Sequence, residues 1–149
     1  MLARSPRSSS VQQWASRLPG LVTITLTAIV YAIFLAPAIA LSGWSRLANP
    51  LQHIVVPGVT VVVWLIWGPR GRVNRHVLPP ALVVSMAWMA FMLLRGAIDG
   101  TYPYGFTNVT AHGYGVVAVG LGMTLLLGVA IMCAFWGGDV ALLRAVSRR

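Results

Sequence analysis

The sequence predicts an all-helical integral membrane protein, a bundle of four transmembrane helices, on three observations. Hydrophobic residues make up 58% of the 149, only 9% are charged and mean hydropathy is +0.80, a balance unlike that of a soluble domain. Four stretches are long and apolar enough to cross a bilayer, at residues 21–41, 51–67, 77–94 and 113–136. The eleven basic residues, all arginine, fall outside these stretches or at their edges. Backbone groups in hydrocarbon find no water and must pair within their own segment, so the spans are helices rather than strands.

Each element follows from its residues. Positions 1–18, rich in serine and arginine, read as a disordered tail, and 19–139 as the membrane domain. The first span, at 21 residues, covers about 30 Å, the thickness of the hydrocarbon core. Its arginines, apolar core and Ala38-Ile39-Ala40 also fit a cleaved signal peptide, although the apolar stretch is long for one. The second span, 17 residues, is at the short limit. Pro57 within it has no N–H and so frees the carbonyl of His53. Pro79 and Pro80 open the third span, where a missing N–H costs little. Gly120, Thr124 and Gly128 give the fourth span a small face suited to close helix packing. Residues 140–149 form a basic tail.

The arginines orient the bundle. Nine (Arg4, Arg7, Arg17, Arg70, Arg72, Arg75, Arg144, Arg148, Arg149) lie on the side of the termini, against Arg46 and Arg95 opposite. The positive-inside rule then places both termini in the cytoplasm of a multi-pass cell-membrane protein. A net charge of +9 does not point to nucleic acid, because no basic helix carries interleaved aromatics; the arginines match topology signals and anionic-lipid contacts. The single Cys133 permits no intrachain disulfide and no cysteine-based metal site. Neither Asp99 nor Asp139 is central in a span, which argues against a small proton or drug antiporter. A haem between His53 and His112 has no supporting pattern, and no phosphate loop or nucleophile elbow is present, so no metal or cofactor is expected.

The candidate site lies at the outer end. His53 is an ionisable group in an apolar segment, which costs a few kcal/mol at membrane depth unless something satisfies or uses it. The bland alternative is an interfacial histidine bonded to a loop. Pro57, Arg95, Asp99, Tyr102, Tyr104 and Phe106 are expected to share a pocket with His53. Arg95 and Asp99 are four apart and can pair, while Tyr102, Tyr104 and Phe106 alternate in an extended stretch that also fits an interfacial aromatic belt.

The runs Asn49-Pro-Leu-Gln-His53-Ile-Val-Val-Pro57, Trp64-Leu-Ile-Trp-Gly-Pro-Arg-Gly-Arg72, Arg95-Gly-Ala-Ile-Asp-Gly-Thr-Tyr-Pro-Tyr-Gly-Phe106 and Gly113-Tyr-Gly115 resemble the bacterial branch of the androgen-induced membrane hydrolase family. Animal members are six-span proteins that hydrolyse fatty-acid esters of hydroxy fatty acids with a threonine nucleophile and a histidine. The resemblance spans about residues 20–136 and implies that His53 is the family's histidine. The chain departs from the pattern at Val63, where bacterial relatives often carry an acid, and at Gly105, where a second proline is usual.

The family threonine sits in a span two before the histidine span, and this chain has one span there, so it reads as shortened at its N-terminus. Thr23 and Thr27 do not substitute on these span limits. Thr27 lies 14 residues below Leu41 and His53 two residues deep, a separation of about 18 Å, against about 3 Å for a nucleophile–base pair. The expected function is therefore a membrane protein that resembles fatty-acid-ester hydrolases, lacks their nucleophile and keeps a cavity for a lipid or fatty-acyl ligand. The alternative is a lipid-ester hydrolase with His53 as general base and a nucleophile from a second chain or a first hairpin. Membrane lipids are the expected partners, and self-association is left open.

Overall fold

The computed structural model describes residues 6–37 and 39–148, with side chains from Leu18 onward. The first five residues of the expected tail, Ala38 of the cleavage pattern and Arg149 lie outside the described residues. Helix α1 (Pro6–Val30) continues through a π turn at Tyr31–Leu35. A second rod joins α2 (Ser45–Pro50), a π turn at Leu51–Val55 and α3 (Val56–Trp67). Then come α4 (Leu78–Asp99), a 3₁₀ turn at Gly105–Thr107 and α5 (Val109–Ser147). The described residues contain no strand, and four helices are long and apolar enough to span a membrane: Leu18–Leu35, Ser45–Trp67, Leu78–Asp99 and Val109–Ser147.

The limits of the elements correct the sequence reading in four places. Residues from Pro6 to Arg17, expected as a disordered tail, are helical; Pro6 pre-sets the first helical position and no proline or glycine interrupts before Pro19. The first span stops at Leu35, six residues early, because the π turn and Pro37 end it. The second helix starts at Ser45 rather than Leu51, where Ser45 and Ser42 exchange hydrogen bonds across the opening turn, so the short span gains six residues. Finally, α5 continues through the expected basic tail to Ser147.

Both π turns end two residues before a proline, Pro37 and Pro57. In each, an N–H reaches back five residues, from Ala36 to Tyr31 and from Val56 to Leu51. The wider turn redistributes backbone bonds beside a residue that cannot donate.

Helix α1 touches α3, α4 and α5 and forms the hub. Its buried residues Leu18, Val22, Leu26 and Val30 repeat every four positions, the row that interlocks with grooves on neighbouring helices. Gly128 lets α5 approach both α1 and α4, since a Cβ there would meet Leu26 at 3.5 Å and Leu82 at 3.3 Å. The small face expected on α5 serves helix packing at that position.

The Gly-Pro-Arg-Gly segment is a helix stop. Arg70 folds back so that its guanidinium donates to the carbonyls of Trp64 and Leu65 and lies over the Trp64 ring, 5.5 Å from its centroid. A cation at a helix C-terminus is well placed to satisfy the last carbonyls. At the other end, Gly100 closes α4 with φ 74°, a conformation that favours glycine, and its N–H returns to Gly96 O. Gly113 has φ 74° and ψ 164° and kinks α5 at the position where the fourth span was expected to begin.

Candidate functional site

A cavity of about 310 Å³ lies between α1, α4, α5 and the loop that joins α4 to α5, reaching from mid-bundle toward the end away from the termini. His53, Tyr104 and Phe106 line it together, as does a set of hydroxyls: Thr23, Thr27, Ser85, Thr107 and Thr124. Most of the remaining wall is apolar, with Trp88, Met89 and Met92 from α4. Small-ligand pockets generally span about 300–1,000 Å³ and are largely apolar with a few placed polar groups.

His53 is held on two sides. Its ring stacks on Tyr31 with centroids 4.1 Å apart and planes 18° from parallel. Its Nδ1 lies 3.0 Å from the carbonyl oxygen of Asn49. A carbonyl only accepts, so Nδ1 carries the proton in the neutral ring and Nε2 is left as an acceptor. Both stacked residues sit in π turns, so the two helices deviate from α geometry where the rings meet.

The loop is fastened as a plug over the cavity. Tyr102, Tyr104 and Phe106 are half-buried while Thr101, Pro103 and Gly105 are exposed, the alternation expected of an extended segment. Tyr102 rests on Gly96, where an added Cβ would overlap its ring. Phe106 rests on Gly120, where a Cβ would come within 2.9 Å, and it packs against Phe34 with centroids 4.7 Å apart. Thr107, 2% exposed, donates its hydroxyl to Tyr104 O at 2.8 Å.

The expected site residues therefore separate. His53, Tyr104 and Phe106 meet in the cavity. Pro57 is buried and lines a different hollow on the other side of His53, between α1 and α3. Arg95 and Asp99 are exposed and pair with each other at 2.9 Å, while Asp99 also accepts from the N–H of Thr101. They clasp the end of α4 instead of facing His53, because a side chain four residues away is a nearer partner than the cavity. Tyr102 is spent on Gly96.

The depth argument against Thr27 also fails. Tyr31 fixes the level of His53, and Thr27 is one helical turn from Tyr31 on the same face, about 6 Å lower. The expected 18 Å shrinks because the first span ends, and the second begins, six residues earlier than expected. Thr27 and His53 now line one cavity.

Yet the hydroxyls are committed. Thr23, Thr27, Ser85 and Thr124 each donate to the carbonyl four residues earlier, at 2.9–3.1 Å. That local bond satisfies a hydroxyl in an apolar helix. Among the described residues, none donates to His53.

Sequence reasoning missed Tyr31, the seats Gly96 and Gly120, and Asp139. Tyr31 carried a signal as the single ionisable group of the first span. Asp139 carried one as one of two acids beside eleven arginines. It is fully buried and accepts the N–H of Val73 at 2.9 Å through Oδ2, which ties the α3–α4 loop to α5. No cluster of metal-ligating side chains occurs among the described residues. The chain matches no protein-family model, no curated protein and no solved structure.

Proposed function

We propose that this protein is a multi-pass membrane protein that binds a fatty-acyl ligand in the His53 cavity without hydrolysing it. The observation that carries this reading is a mainly apolar cavity in which every lining serine and threonine hydroxyl donates to a backbone carbonyl three or four residues earlier, while His53 Nε2 has no donor among the described residues. A fatty acid or alcohol buries its chain against Leu26, Val84 and Met92 and offers its O–H to the imidazole. The test is binding of a fluorescent long-chain fatty acid by the full chain in detergent. Wild type binds it and palmitate displaces it, whereas Thr124→Phe, which fills the cavity, does not bind. Equal binding by both proteins sinks the reading.

A second reading is favoured by Thr27 and His53 sharing one cavity. Thr27 is then the nucleophile of a lipid-ester hydrolase, with His53 as general base. It requires the Thr27 hydroxyl to leave Thr23 O and turn toward the imidazole, because a threonine is a poor nucleophile until a base takes its proton. We expect no His53-dependent cleavage of a fluorogenic long-chain acyl ester. A fall of about a hundredfold in His53→Ala, the scale of losing a general base, matched by Thr27→Val, establishes the hydrolase instead.

Cytoplasmic termini in the cell membrane are part of the same proposal, supported by the nine-to-two arginine asymmetry. In a Cys133→Ala background, a cysteine at exposed Thr101 should react with an impermeant reagent in intact cells and one at Ser147 should not. Thr107 is too buried to serve as the outer reporter. The reverse pattern inverts the topology.

A further inference from the structure

A second hollow, of about 860 Å³, opens at the end that carries both termini, between α1, the α3–α4 loop and the start of α4. Its helical walls are apolar, with Leu18, Ile24 and Val84. Arg72, Asn74 and His76, all exposed, form its polar side. Among the described residues Arg72 makes no ion pair: Asp99 is clasped by Arg95 at the opposite end, and Asp139 accepts from the Val73 N–H. His76 and Asn74 are held in place by backbone bonds, Asn74 Oδ1 accepting from the His76 N–H at 2.9 Å and Asn74 Nδ2 donating to Arg72 O at 3.2 Å. This hollow meets the His53 cavity along Thr23, Thr27 and Val84, which line both.

We propose that the hollow binds an anionic phospholipid from the leaflet facing the termini, its phosphate held by Arg72 and His76 and one acyl chain laid along Leu18, Ile24 and Val84. A guanidinium gives phosphate paired, charge-assisted hydrogen bonds, and arginines beside a membrane surface attract anionic headgroups. A soluble phosphate compound leaves the apolar wall uncovered, and a zwitterionic lipid brings its own cation to an arginine that lacks an anion. The headgroup site stands by itself. Passage of the chain beyond Thr27 rests on the acyl-binding reading of the His53 cavity.

The experiment offers the purified full chain equal amounts of phosphatidylglycerol and phosphatidylcholine with the same acyl chains, and reads the retained lipids by native mass spectrometry. Wild type retains phosphatidylglycerol several-fold over phosphatidylcholine, and the Arg72→Gln/His76→Gln variant loses that preference. Arg144→Gln removes the same charge at the same end, on α5 and away from the hollow, and keeps it. Glycerol phosphate in excess does not compete. Equal retention of the two lipids by wild type, or loss of preference in Arg144→Gln as well, overturns the site in favour of diffuse charge attraction. Competition by glycerol phosphate overturns the lipid as the occupant. Thr124→Phe keeps the phosphatidylglycerol preference even if it abolishes fatty-acid binding, so the two readings fail separately. Loss of preference in Thr124→Phe places the lipid in the His53 cavity and overturns the Arg72 assignment.

Discussion

From mid-bundle toward the end away from the termini, five serine and threonine hydroxyls and an imidazole surround open space, and each of these hydroxyls donates to a carbonyl three or four residues earlier, Thr23 lying also 3.4 Å from Ala81 O. At the end bearing the termini, Asp139 and Trp64 are buried and meet other segments. Trp64 meets the Phe135 ring edge-on at 5.0 Å, and Asp139 takes its hydrogen bond from Val73, 66 residues away in sequence. Asp139 Oδ1 and Trp64 Nε1 have no partner among the described residues. The difference is one of chemistry. A hydroxyl can return its proton to its own helix and leave the neighbouring space free for a ligand. A carboxylate has no donor to find on its own helix interior, so it must recruit a distant N–H, and in doing so it latches two elements together.

Breaking the latch should have the largest effect. Asp139→Ala leaves the buried Val73 N–H unpaired, which costs about 1–3 kcal/mol. For a chain of this length that lowers the apparent melting temperature in detergent by roughly 2–12 °C. Asp139→Asn keeps an acceptor and should lose less. An unchanged melting temperature for Asp139→Ala removes the distinction between the two ends.

The plug should come next. In Gly96→Ala the new methyl overlaps Tyr102, and overpacking of this kind costs about 1–3 kcal/mol in a rigid core. Tyr102 is only half-buried and can swing outward, so the loss should fall at the low end of that range. Limited proteolysis should then cut the 101–108 loop sooner than in wild type. If cleavage is no faster, the glycine is not the seat that holds the loop.

The Tyr31–His53 stack is smaller again. Tyr31→Leu keeps the apolar bulk and removes the ring pair, worth about 0.5–1.5 kcal/mol. Its signature is in the imidazole resonances, which should lose the ring-current shift that a stack at 4.1 Å imposes. Spectra unchanged by the substitution separate the two rings. Smallest of all is Arg95→Gln, because an exposed ion pair is screened and entropically costly to hold. Melting and fatty-acid binding should both stay within error of wild type, and a clear loss of binding returns Arg95 to the cavity.

The sequence by itself determined that four helices are long and apolar enough to cross a membrane, that Pro79 and Pro80 fall in the first turn of one of them, and that His53 and the Tyr102–Phe106 segment lie toward the same end. These properties are local: hydropathy, proline chemistry and the period of the helix act within a few residues. It also marked His53 as a polar group needing an account. The relative heights of the helices were decided only in the tertiary structure. Each span end was misjudged by about two helical turns at the points where Tyr31–Leu35 and Leu51–Val55 widen into π turns and Ser45 opens the second helix early. The polar residues Ser45, Arg46 and Asn49 hide the first turns of the second helix from hydropathy, which is almost flat from Tyr31 to Leu41 and cannot fix the first boundary. Stacking of Tyr31 on His53 can, because an aromatic contact at 4.1 Å sets one helix against another to within a fraction of a turn. The same holds for Arg95 and Asp99, which proximity in sequence paired with each other, and for Asp139, whose partner 66 residues away no local rule could supply.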